Sequence, residues 1–102
     1  MSHLAVRIGV PDETIAHDLS RTLVEARLVA GTRLSSGTSH YWWDGTVQEQ
    51  TYWTITAFTT SAQLEPLAAL LDDEHPDEVP GVTYTEIDAP DEYLAWIEAE
   101  TR

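Results

Sequence analysis

The side chains with ligating or acid–base chemistry in this sequence are four histidines, His3, His17, His40 and His75, and 18 carboxylates among 102 residues. No two histidines stand four apart, as a helical metal pair would require. There is no cysteine, which excludes thiol catalysis, disulfide frameworks and zinc ribbons. His40 and Glu49 can face each other across a hairpin, where a histidine and a carboxylate could hold a divalent ion or set a protonation state. His75, followed by Pro76, ends a helical pattern and reads locally as a cation at a helix C-terminus. The run Asp72-Asp73-Glu74 with Asp77-Glu78 reads as a solvated face that attracts hard ions weakly, since the spacing and glycine of a calcium loop are missing. The five glycines are isolated, so there is no phosphate-cradling loop, and no nucleophile stands beside a base. The chain is expected not to be an enzyme.

The charge balance narrows the partners. Eighteen acidic residues against five basic ones, all arginine, give a formal net charge of -13. Such a chain repels phosphate backbones and anionic lipid, so no nucleic-acid or membrane partner is expected. Acidic residues throughout with no lysine fit a surface kept soluble at high salt, where the Debye length falls to ~3 Å at 1 M. The alternative is an acidic domain with a partner of opposite charge. The first residues carry neither an apolar leader core nor a cleavage site, so the cytoplasm is the expected compartment.

The elements that must position these groups follow from periodicity. Leu4 to Val10 alternates as a strand with Leu4, Val6, Ile8 and Val10 on one face. Asp12 is a helix N-cap, and Ile15, Leu19, Leu23 and Ala26 recur at helical spacing up to Arg27 in the last turn. Asp44-Gly45 between two β-branched and aromatic stretches signals a type I′ hairpin, pairing Trp43 with Thr46, Trp42 with Val47 and His40 with Glu49. Thr60 to Gln63 resembles a capping box before a helix with Leu64, Leu67, Ala68 and Leu71. Val82 to Ile87 is a strand with Val82, Tyr84 and Glu86 on one face, and Asp88 to Asp91 caps a last helix. The order β-α-β-β-α-β plus a terminal helix is an α+β, ferredoxin-like βαββαβ sandwich with a long second hairpin. All of residues 1–102 form one domain.

The aromatic residues are too many for a core of this size. Tyr41, Trp42 and Trp43 fall near the tip of the ribbon, with Tyr52 and Trp53 in its second strand, Tyr84 in the last strand and Tyr93 and Trp96 on the last helix. An isolated two-stranded ribbon is marginal and its edges invite pairing, so self-association through these side chains is expected.

Several stretches closely resemble the CutA divalent-cation-tolerance family. They are Leu28 to Gly31, Thr38 to Gly45, Glu49, Thr59-Thr60, His75-Pro76 with Pro80, and Tyr93 to Ile97. The resemblance implies a homotrimer whose hairpins build intersubunit sheets, with Tyr41, Trp42, Trp43, Trp53, Tyr93 and Trp96 at clefts or interfaces. It also implies a divalent cation, Cu2+ or Zn2+, as ligand, with His75 of the His-Pro motif as a candidate metal residue; His40 and Glu49 join it as candidates from their facing positions on the hairpin. The family's cysteine falls at Gly31, its lysine at Phe58 and the tyrosine after His-Pro at Asp77. Without the thiol the softest ligand is gone, which counts against Cu(I). A second reading resembles the nitrogen-regulatory PII proteins, small-molecule-sensing trimers; a two-residue turn and the absence of lysine count against it.

Overall fold

Strand β1 (His3–Val10) buries Leu4, Val6, Ile8 and Val10, as its alternation requires. The computed structural model describes residues 2–102. It continues with α1 (Glu13–Glu25), β2 (Gly31–Trp43), β3 (Thr46–Thr60), a 3-10 turn at Ser61–Gln63, α2 (Leu64–Glu74), β4 (Val82–Glu86) and α3 (Asp91–Glu100). The element order is the expected one. The four strands form one antiparallel sheet in the order β2-β3-β1-β4, so each of the two β-α-β units is split by a strand from the other. No helix among the described residues is long and apolar enough to cross a membrane.

The first helix starts as expected, with Asp12 Oδ2 accepting from the Ile15 N–H at 3.0 Å. Its end differs. The buried stripe is Ala16, Leu19, Ser20 and Leu23, while Ala26 is exposed and Arg27 lies past the helix with φ 60. There the Arg27 N–H donates to Val24 O and the Leu28 N–H to Leu23 O, which turns the chain so that Leu28 and Val29 enter the core. The capping box at Thr60 does not form either. Thr60, the last residue of β3 and opposite His3, does stand at the cap position, but its buried side chain makes no capping bond, and Ser61 Oγ accepts from the Ser2 N–H. At α3 the N-cap is Pro90 with no side-chain bond, and Asp88 turns its carboxylate to the Ala89 N–H.

Paired residues share a face of the sheet, so register assigns the two sides. One side carries Leu4, Val6, Ile8 and Val10 with Ile55 and Ala57, and packs against Leu19 and Leu23 of α1 and Leu67 and Leu71 of α2. The other carries the row Ala5, Phe58 and Gly31. Helix α3 covers that row, with Tyr93 meeting the Phe58 ring at 6.0 Å and 80° and Ile97 fully buried.

The hairpin closes through Asp44 (φ 53) and Gly45 (φ 80), the paired positive φ of a type I′ turn. All three expected cross-strand pairs form. Since β1 ends at the pair Val10–Trp53, residues Thr46 to Tyr52 have only β2 beside them. The result is a two-stranded ribbon that stretches the chain to 44 × 25 × 21 Å.

Candidate functional site

The ribbon divides its aromatic residues between its two faces, because neighbours in a strand point opposite ways. Trp42 pairs with Val47 and shares a face with the His40–Glu49 pair and with Trp53; Tyr41 and Trp43 share the other face with Tyr52. Trp42 is 74% exposed and Val47 58%, the largest bare apolar pair on the ribbon. Trp53 sits at the base of its face, against the core and 6.0 Å from the His17 ring. Tyr93 and Trp96 lie at the far end of β2, over Phe58 and Gly31. Within one chain the nine expected site residues therefore fall into four groups: His40, Glu49, Trp42 and Trp53 on one ribbon face, Tyr41 and Trp43 on the other, Tyr93 with Trp96 on α3, and His75 after α2.

His40 Nε2 lies 2.7 Å from Glu49 Oε1, with both side chains largely in solvent. His75 is different. It is 9% exposed, its Nε2 lies 2.7 Å from Gly9 O, and its Nδ1 accepts the Asp77 N–H at 3.0 Å. These partners put the hydrogen on Nε2, which donates to the carbonyl, and leave the lone pair on Nδ1. The ring thus splints the end of β1 to the loop after α2, and a metal ion at His75 would have to displace one of the two bonds. Among the described residues, no three His, Asp or Glu side chains gather in a ligand set. A second histidine–carboxylate pair, His3 with Glu98 at 2.8 Å, ties β1 to α3.

Loop residues Pro76 to Val79 with Gly81 and the Tyr41–Trp43–Tyr52 face of the ribbon flank a half-open cavity of about 510 Å³. Tyr52 Oη donates to Asp77 Oδ2 at 2.9 Å, and Tyr41 stands edge-on to the Tyr52 ring at 5.6 Å. Burial, followed by the bond to Asp77 and its charge, pushes the Tyr52 hydroxyl above the ordinary phenol range. Tyr52, one of the surplus aromatic residues, and Asp77, part of the acidic run, were not among the expected site residues. Register alone would have put Tyr52 beside Tyr41, but its carboxylate partner is 25 residues away and is supplied only by the fold.

Gly31 has a packing role at the other end. A Cβ there would come within 3.0 Å of Trp96 Cη2, so the indole occupies the space a side chain would need. Trp96 stacks at 36° on Tyr93, and the Arg33 guanidinium carbon lies 5.3 Å above Phe58. Gly31→Cys is expected to displace the indole and lower stability by roughly 1–3 kcal/mol, the usual cost of overpacking. Thermal unfolding checks this; an unchanged melting temperature would mean that Trp96 yields freely.

The sequence profile of the CutA1 divalent ion tolerance protein family matches residues 4–100. The divalent-cation tolerance protein CutA of Pyrococcus horikoshii is 30% identical over 93 residues, covering 90% of this chain and 91% of its own. That of Citrobacter koseri is 30% identical over 101 residues, covering 97% and 88%. Among solved structures, the divalent cation tolerance protein of Thermus thermophilus superposes with a TM-score of 0.93 at 31% identity, covering 98% of this chain and 99% of its own.

Proposed function

Because the chain belongs to the CutA1 divalent ion tolerance protein family, we propose that it acts in the response to divalent cations as a non-enzymatic, cytoplasmic homotrimer. The observation that carries the assembly is the sheet's two open edges, β2 on one side and β4 on the other. An open edge beside a bare Trp42–Val47 pair calls for cover. Edge β2 of one copy against edge β4 of the next is a head-to-tail contact, which closes into a ring when the rotation allows. Three copies make such a ring, the number that the family resemblance implies. The acidic, lysine-free surface is read as an adaptation of this assembly to high salt.

The cation taken up is Cu2+ or Zn2+ at His40 and Glu49, a borderline donor with a carboxylate. Two exposed donors per chain fit a weak, open site rather than a resident metal centre. Gly31 supplies no thiol, and His75 has both nitrogens engaged. The hairpin's two-residue turn leaves no long loop between the middle strands for the regulatory, PII-like alternative.

Sedimentation equilibrium in molar salt tests the assembly, and a stable monomer would overturn it. Titration with Cu2+ tests the site: His40→Ala is expected to weaken binding by about tenfold or more, the loss of one of two ligands. Unchanged binding in that variant would remove the ribbon pair from the site.

A further inference from the structure

We propose that the cavity between the ribbon and the 75–81 loop binds a small organic cation of the ammonium or guanidinium class, through the rings of Tyr41, Trp43 and Tyr52 and the carboxylates of Asp77 and Glu78. This site is distinct from the exposed His40–Glu49 pair, which lies on the opposite face of the ribbon. Its described walls come from one chain. Because Tyr41 and Trp43 are among the residues that the family resemblance places at clefts or interfaces, the site requires this cleft to stay open in the proposed trimer. It does not depend on the metal-response reading.

The size is right for a small molecule, at about 510 Å³ within the range of roughly 300–1,000 Å³ typical of ligand sites. The lining decides the class. Three aromatic rings from alternate positions of paired strands face one space, and the only charged residues in its wall are acidic. None of the five arginines contributes to it. A cation is therefore favoured twice, by the negative faces of the rings and by the carboxylates, and an anion is disfavoured.

The same lining selects against a bare metal ion. It offers two carboxylates and no imidazole, and Asp77 already accepts the Tyr52 hydroxyl. A hard ion wants six or more oxygen ligands. An alkylammonium or guanidinium group wants apolar and aromatic surface with one or two carboxylates, which is what this wall presents.

The walls are also held in place without a ligand. His75 bonds both Gly9 O and the Asp77 N–H, and the Gly9 N–H donates to Gly81 O at 2.9 Å. The Tyr52–Asp77 bond then fastens the loop to the ribbon. A site fixed in advance loses little freedom on binding.

Isothermal titration of the intact protein with tetramethylammonium and with guanidinium at constant ionic strength tests the proposal. The controls are sodium chloride and tert-butanol, a neutral compound of similar shape to the ammonium ion. Saturable binding of one cation per chain is expected, with no saturable heat from either control. Tyr41→Leu and Asp77→Asn are each expected to weaken it by about tenfold, as loss of one cation–ring or charge contact would. Absence of saturable binding, as when another copy of the chain fills the cavity, would overturn the proposal. So would equal binding of tert-butanol, or unchanged affinity in both variants.

Discussion

His75→Ala is expected to cost about 3 kcal/mol of stability, through two lost hydrogen bonds and the hole the ring leaves, and to leave Cu2+ binding as in the unaltered protein. The imidazole joins Gly9 O and the Asp77 N–H, groups that stand 66 and 2 residues from it in the chain, and is nearly buried between them. Alanine leaves the Gly9 carbonyl and the Asp77 amide without these partners and frees the loop that carries Asp77. For a domain of this length the loss corresponds to a fall in melting temperature of roughly 15 °C. The two proteins have to be compared at one concentration, because the proposed assembly would make the melting temperature depend on it. The reverse result, an unchanged melting temperature with copper binding lost, would reassign His75 from splint to ligand.

Lowering the salt should have the second large effect. Each chain carries -13, and among the described residues the only arginine–carboxylate bridges are Arg21–Glu25 and Arg27–Glu100, both well exposed. At 1 M salt the repulsion among the remaining carboxylates is screened within ~3 Å, whereas at 0.01 M it reaches ~30 Å. That spans the chain itself and, in the proposed trimer, its neighbouring copies. The melting temperature is expected to fall by about 10 °C between these conditions, equivalent to roughly 1–2 kcal/mol per chain. Neutralising the exposed run with Asp72→Asn, Asp73→Asn and Glu74→Gln should recover part of the loss. A protein equally stable at both salt concentrations would separate the acidic surface from any adaptation to salt.

Where the deciding interaction is local, the residues were sufficient to read the structure. Asp12 caps its helix, Asp44-Gly45 adopts the paired positive φ of its turn, and the hairpin register follows from that turn down to His40 opposite Glu49. Where a local motif competes with the sheet, the sheet prevails. Thr60 stands at the cap position before Ser61–Gln63, but its side chain is buried in the sheet opposite His3 and makes no capping bond. Ala26 continues the apolar spacing of α1 on paper, yet the helix ends so that Leu28 and Val29 can be buried.

By itself the sequence determined the order of the elements, the long ribbon and its pairing, the surplus of aromatic residues and the charge. These depend on periods of two and 3.6 residues and on a turn that only certain residues can make, all read within a few positions of the chain. The tertiary structure alone decided what the side chains do. It turned His75 from an end-of-helix cation into a buried link to Gly9, gave Tyr52 its bond to Asp77, and set Trp96 over Gly31. Those contacts join β1, the ribbon, the loop after α2 and helix α3, and no spacing rule reaches across such separations. They arise because burial of the common core brings the elements together, and each polar group left inside must then find a partner wherever the fold offers one.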